Sequence, residues 1–172
     1  MDTKKPTFEQ AINVATLWCK AWENGELSDE VLADRVSELL TSNEGARGFF
    51  VVSLAGDCPI LDRMPDPLVL EMRKAGESVI DLTVRNLAMS SAISLHHERN
   101  CNHIQKEGSQ RVKYRCIELL RQLEPNLVKR RLEKLLEALN GKGDDVSFLE
   151  RWDYDFQQKQ AIRESINQVP EQ

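Results

Sequence analysis

All three histidines of the chain and one of its four cysteines fall in one stretch, His96-His97-Glu98-Arg99-Asn100-Cys101-Asn102-His103. Imidazole and thiolate bind zinc and move protons near neutral pH. His96, His97, Cys101 and His103 are therefore the sharpest concentration of reactive groups in the sequence. On a continuous helix His97 and Cys101, four apart, share one face and offer a two-ligand pair. His96 and His103, seven apart, share a second face turned roughly 100–140° from the first. One straight helix cannot aim all four at a single ion, and the paired spacings of structural zinc sites are absent. Helix-end chemistry accounts for the same residues, because the dipole favours cations near a C-terminus and Asn tolerates left-handed backbone there. The expectation is a helix terminus, with His96 partly buried and His97 and Arg99 over the last carbonyls. No metal and no cofactor is assigned.

Other catalytic patterns are missing. Cys101 beside histidines suggests a thiol–imidazole pair, but neighbours in sequence need not touch in the fold. There is no GxSxG, HExxH, P-loop or glycine-rich dinucleotide motif. The glycines sit near expected helix ends and joints, where backbone punctuation needs them. With no catalytic motif found, the reading leans away from an enzyme without deciding it.

Charge provides the second candidate. The formal net charge is −5, but residues 1–98 carry 9 basic and 16 acidic side chains while residues 99–134 carry 10 and 4. Arg111 and Arg115 share one face of an expected helix, and Lys129, Arg130 and Arg131 decorate the outside of the next. Such a basic island could displace counterions from nucleic-acid phosphates. The acidic whole and the lack of any nucleic-acid module or interleaved surface aromatics make that partner the weaker expectation. Docking on acidic protein, or pairing with the acidic residues of this chain in the fold or in a dimer, needs no foreign polymer. Phe148, Trp152, Tyr154 and Phe156 follow a glycine-rich joint, and Trp152 and Tyr154 are the residues expected to anchor a partner if they stand exposed.

The elements that must carry these groups read as helices throughout. Thr7-Phe8-Glu9-Gln10 has capping-box chemistry, and Phe8, Ala11, Ile12, Ala15, Trp18, Cys19 and Trp22 recur at helical steps until Gly25. Ser28 caps a second stripe of Val31, Leu32, Val36, Leu39 and Leu40, so residues 7–42 are expected to form an antiparallel helix hairpin. Residues 49–55 are apolar enough for a buried strand or helix. No partner strand is evident to satisfy a lone strand's backbone, so helix is favoured. A loop from Gly56 to Pro65 precedes a short helix opened by Asp66-Pro67. Residues 77–100 form the longest pattern. One face holds Val79, Ile80, Val84, Leu87, Ala88, Ser91 and Leu95, and another Leu82, Met89, Ile93 and His96, which predicts a central helix surrounded by its neighbours. Asp81 and Arg85 can pair along it. Gly108-Ser109 is expected to kink or restart the chain, and Pro125 to open the last leucine-striped helix. Residues 140–172 are expected to be a helical segment that folds back after a flexible joint.

The architecture expected is all-α, a single compact domain over residues 1–172 with about 7–9 helices. No apolar window suits a membrane span, and no signal-peptide core follows Met1. Cysteines 19, 58, 101 and 116 contain no CxxC pair and read as reduced thiols, mostly buried, in a cytoplasmic protein. The functional expectation is a non-catalytic protein-interaction or assembly module, working with a protein partner or by self-association. Its candidate contacts are Arg111, Arg115, Lys129, Arg130, Arg131, Trp152 and Tyr154. The alternatives are a metal-binding or regulatory protein using residues 96–103, and a nucleic-acid binder using the basic helices of residues 106–134.

Overall fold

The computed structural model describes residues 5–170, which form nine α-helices and no strand among them. They are α1 (Phe8–Glu23), α2 (Asp29–Leu39), α3 (Asn43–Phe50), α4 (Asp66–Ala75), α5 (Glu77–Arg99), α6 (His103–Gln122), α7 (Pro125–Leu139), α8 (Val146–Arg151) and α9 (Phe156–Gln168). Packing divides the chain into two compact units, one ending at Val79 and the other beginning at Ile80. The boundary falls in the first turn of α5.

The first unit starts where its caps dictate. Thr7 Oγ1 accepts from Gln10 N at 3.1 Å while Gln10 Oε1 accepts from Thr7 N at 3.0 Å, which closes the capping box. Ser28 and Ser42 cap α2 and α3 in the same way through their hydroxyls. The expected α1–α2 hairpin is looser than its short connection suggests: α1 lies mainly against α3, and α2 mainly against α4. Small residues explain the choice. Ala11, Ala15 and Cys19 form the buried stripe of α1, and Gly48 of α3 meets it so closely that an added Cβ would sit 2.5 Å from Ala11 Cβ.

Residues 49–55 are helical and not a strand. Phe49 and Phe50 complete α3, and the chain then widens into a π-helical turn, Val51–Ala55, ending at Gly56. A Cβ on Gly56 would lie 2.4 Å from Val52 O, so the backbone closes there only without a side chain. A short 3₁₀ turn, Pro59–Leu61, buries Ile60 and Leu61. Pro65, not Asp66, occupies the cap position of α4, and Asp66 is its first residue. Val31, placed in the inward stripe of α2 by its spacing, is exposed.

In the second unit α5 supplies a fully buried line of Val84, Leu87, Ala88 and Ala92. The other expected face is not covered: Leu82 and Met89 are half-buried, while Ile93 and His96 are exposed. The helix is central along one side only. Small hydroxyls let α9 come close, and Ser91 Oγ and Ser165 Oγ share a buried hydrogen bond of 2.6 Å. Helix α6 continues unbroken through Gly108-Ser109, Ser109 Oγ donating to Gln105 O at 3.0 Å. The restart expected there occurs earlier, at Asn102. Helices α8 and α9 pack on α7, and α9 also on α6, so residues 146–168 return to this unit through Phe148, Leu149 and Ile162.

Arginines tie the second unit together at its helix ends. Arg121 of α6 donates to the carbonyls of Gln168 (2.6 Å) and Val169 (3.0 Å), closing the C-terminus of α9. Arg163 of α9 donates to Leu139 O (3.3 Å) and Asn140 Oδ1 (2.9 Å) at the C-terminus of α7. Both place a cation where the helix dipole is negative and carbonyls lack partners. No helix among the described residues is long and apolar enough to cross a membrane.

Candidate functional site

The reactive stretch 96–103 is a turn between helices. Asn102 N donates to His97 O at 2.9 Å and Cys101 N to Glu98 O at 3.1 Å, the paired hydrogen bonds of a Schellman motif. The left-handed residue that the motif requires is Cys101, with φ of 54°, and not either asparagine. Asn102 instead caps α6, its Oδ1 accepting from Gln105 N at 3.2 Å.

His96 is exposed rather than partly buried, and its Nε2 lies 3.1 Å from Asn100 Nδ2. The His96 and His97 rings meet edge-on at 5.7 Å. Arg99 does not cap its own helix. It reaches Asp155 at 2.6 and 3.3 Å and Gln157 at 2.6 Å, tying the end of α5 to the start of α9. Among the described residues no three His, Cys, Asp or Glu side chains are grouped so that they could hold a metal ion.

Asp155 has two tasks at this junction. It caps α9, accepting from Gln158 N at 2.9 Å, and it receives the Arg99 guanidinium. The Arg99 hydrogen bonds, helped by the cap N–H, hold its carboxyl down at about 2. Glu98 at the end of α5 pairs with Lys106 of α6 at 3.2 Å. The end of α5, the start of α6 and the start of α9 are therefore neighbours at one end of the second unit. Large apolar side chains stand exposed on these same segments: Ile104 is 82% exposed, Phe156 76%, and Trp152, just before α9, 49%.

The basic island divides between solvent and interior. Arg115 is 3% exposed and is unavailable as a docking cation. Arg131 is also internal, donating to Asp145 at 2.5 and 3.2 Å and to Asp81 at 3.0 Å. Asp81 binds Arg85 as well, at 3.2 Å, which is the expected one-turn pair. Lys134 reaches Asp144 at 3.5 Å, and Arg121 pairs with Glu118 at 2.8 Å besides capping α9. Much of the island's charge is matched by carboxylates and carbonyls of the same unit. Arg111, Lys129 and Arg130 remain exposed, on α6 and α7. Of the two aromatic anchors, Trp152 is exposed and Tyr154 half-buried, with burial pushing the phenol up to about 12.

One constellation has no signature in sequence spacing. Cys19 of α1 and Cys58, just before the 3₁₀ turn, lie side by side in the first unit with their thiols in hydrogen-bonding reach. Both are free and buried, and both line a cavity of about 480 Å³. Cys19 continues the Ala11–Ala15 stripe, which marks it as inward-facing. Its partner is set by the π-helical turn and the loop after it, which no pattern announces.

No curated protein and no solved structure matches the chain. A family model covers residues 7–169, from the cap of α1 to the residue that ends α9. The chain thus belongs to the family described as uncharacterised conserved protein UCP020893.

Proposed function

We propose that this protein is a non-catalytic assembly module of the cytoplasm that self-associates through the α5–α6–α9 end of its second unit. The observation that carries the reading is the exposure of Ile104, Trp152 and Phe156 on segments joined by the Arg99–Asp155 and Lys106–Glu98 pairs. A large apolar side chain that stays wet in the monomer gains roughly 1.5–3 kcal/mol on burial, and aromatic anchors dominate many interfaces. A second copy is the favoured partner because this end carries both signs of charge, Arg99 beside Asp155 and Lys106 beside Glu98. Such a surface can face itself about a two-fold axis without opposing like charges. Three buried thiols and an exposed fourth, all free, fit a reducing compartment.

Light scattering across a concentration series tests the reading. The expected result is a dimer, which an Ile104→Asp/Phe156→Asp variant converts to a monomer with unchanged helical circular dichroism. A wild-type chain that stays monomeric up to hundreds of micromolar overturns it.

A further inference from the structure

We propose that Cys19 and Cys58 are a redox-active pair, oxidised to an intramolecular disulfide by a small hydroperoxide that enters the cavity they line. This inference stands apart from self-association and uses the other unit of the molecule.

The two sulfurs differ in role because their surroundings differ. The Cys19 and Cys58 side chains are hydrogen-bonding neighbours, and the Ile60 backbone N–H is a second hydrogen-bonding neighbour of Cys58. Both hydrogen bonds favour the thiolate of Cys58, whose pKa lies below the ordinary thiol value. Cys19 is held protonated by its bond to Cys58 and by burial. Cys58, on a loop and the more accessible of the two at 7% against 3%, is the nucleophile, and Cys19, inside α1, the resolving thiol. Glu23 faces both sulfurs, and its negative charge opposes the thiolate. Lys20 and Asp57 complete the charged lining of the cavity, beside Thr16.

Access and movement are both provided. The cavity wall opposite α1 is the π-helical turn, through Val51, Val52 and Ala55. Turns of this kind recur at functional sites because they interrupt regular helical hydrogen bonding. Cys58 sits on the loop beyond it and not on a rigid helix, so the small approach from hydrogen bond to S–S bond falls on a segment able to shift. The other cysteines lack this arrangement. Cys116 is fully buried, its pKa raised by desolvation alone, and Cys101 is exposed.

The chemistry balances with one oxidant. The Cys58 thiolate attacks the terminal oxygen of ROOH, the O–O bond breaks, and with one proton the products are Cys58–SOH and ROH. The Cys19 sulfur then attacks the sulfenic sulfur and the S–O bond breaks. The Cys19 proton leaves with the hydroxyl as water, and the Cys19–Cys58 disulfide remains. Two electrons have passed from the two thiols to the peroxide. Two equivalents of a small thiol return the pair to its reduced form, becoming a disulfide themselves.

Hydrogen peroxide titration of the Cys101→Ser chain, followed by alkylation and peptide mass mapping, provides the test. The expected product is a single chain lighter by two hydrogens, with no interchain disulfide, and with residues 19 and 58 in one cross-linked peptide that dithiothreitol releases. In the Cys19→Ser variant Cys58 should accumulate as a sulfenic acid trapped by dimedone. The Cys58→Ser variant should react at least tenfold more slowly. The wild-type chain serves as the reference should either variant fold poorly, since its cross-link can be mapped directly. Recovery of Cys19 and Cys58 as free thiols after peroxide exposure that oxidises Cys101 in the wild-type chain overturns the proposal.

Discussion

Arginine has opposite neighbours in the two units. In the first, Arg47, Arg63 and Arg35 lie over Phe8, Trp22 and Trp18 at 5.1, 5.2 and 5.9 Å, so each half-buried ring of α1 has a guanidinium on its face. In the second, Arg99, Arg121, Arg131 and Arg163 reach carboxylates and helix-end carbonyls, with Arg85 over Phe148 the exception. The difference follows from what the helices offer. Helix α1 has three large aromatics and a small-residue stripe, so it packs tightly and leaves rings at its margin. Helices α6, α7 and α9 leave carbonyl ends and carboxylates near one another, and a planar fork of donors satisfies several at once. The first unit is held by close apolar contact, the second by directed polar contact around an apolar core.

That contrast sets the order of expected effects. Arg131→Ala should cost most, about 3–5 kcal/mol, because it leaves Asp145, whose side chain is 4% exposed, as an uncompensated buried charge. Chemical denaturation monitored by circular dichroism measures it, and a loss below about 1 kcal/mol would mean that water replaces the guanidinium. Gly48→Ala should follow at about 1–3 kcal/mol, since the new methyl cannot avoid Ala11 without separating α1 from α3. If close packing governs the first unit, this one methyl should outweigh Arg47→Gln, which removes a cation–π contact at an exposed site and should cost about 0.5–1 kcal/mol. The reverse ranking would erase the distinction between the units. Cys101→Gly should stabilise by about 1 kcal/mol, because a left-handed backbone strains any residue with a Cβ.

The pH effect is expected to be the smallest. Asp155 titrates at about 2 in the folded chain against an ordinary 3.8, so its contribution is complete above the ordinary value and fades as pH falls toward 2. The Arg99→Gln variant should lose less stability than wild type between pH 5 and pH 2 in thermal melts. Identical slopes would show that the Arg99–Asp155 pair is solvated in solution.

Several local features could be read from the chain. The Thr7 capping box, the Ser28 cap, Pro125 at the start of α7 and the end of α5 near residue 100 all depend on neighbours within one turn, which the sequence displays directly. The helical state of residues 49–55 followed from the lack of a partner strand, although its π-helical geometry did not. The misreadings share a cause. Gly108-Ser109 has the composition of a break, but a glycine inside a helix costs only about 1 kcal/mol, which the rest of α6 outweighs. Arg115 and Arg131 looked like surface charges by position, and only burial and their partners reveal them as internal. The histidines could be placed at a helix end, while Cys101 as the left-handed residue could not.

Helix positions, the all-α class and the segregation of charge were determined by the sequence alone, because caps, periodicity and composition act over a few residues. Tertiary structure decided which α1 contact dominates, where each arginine goes, and that Cys19 meets Cys58. Each of these joins residues far apart in the chain through geometry that no local pattern encodes. The two thiols illustrate it best: one lies on a readable stripe, the other at the end of a turn whose shape only its packing sets.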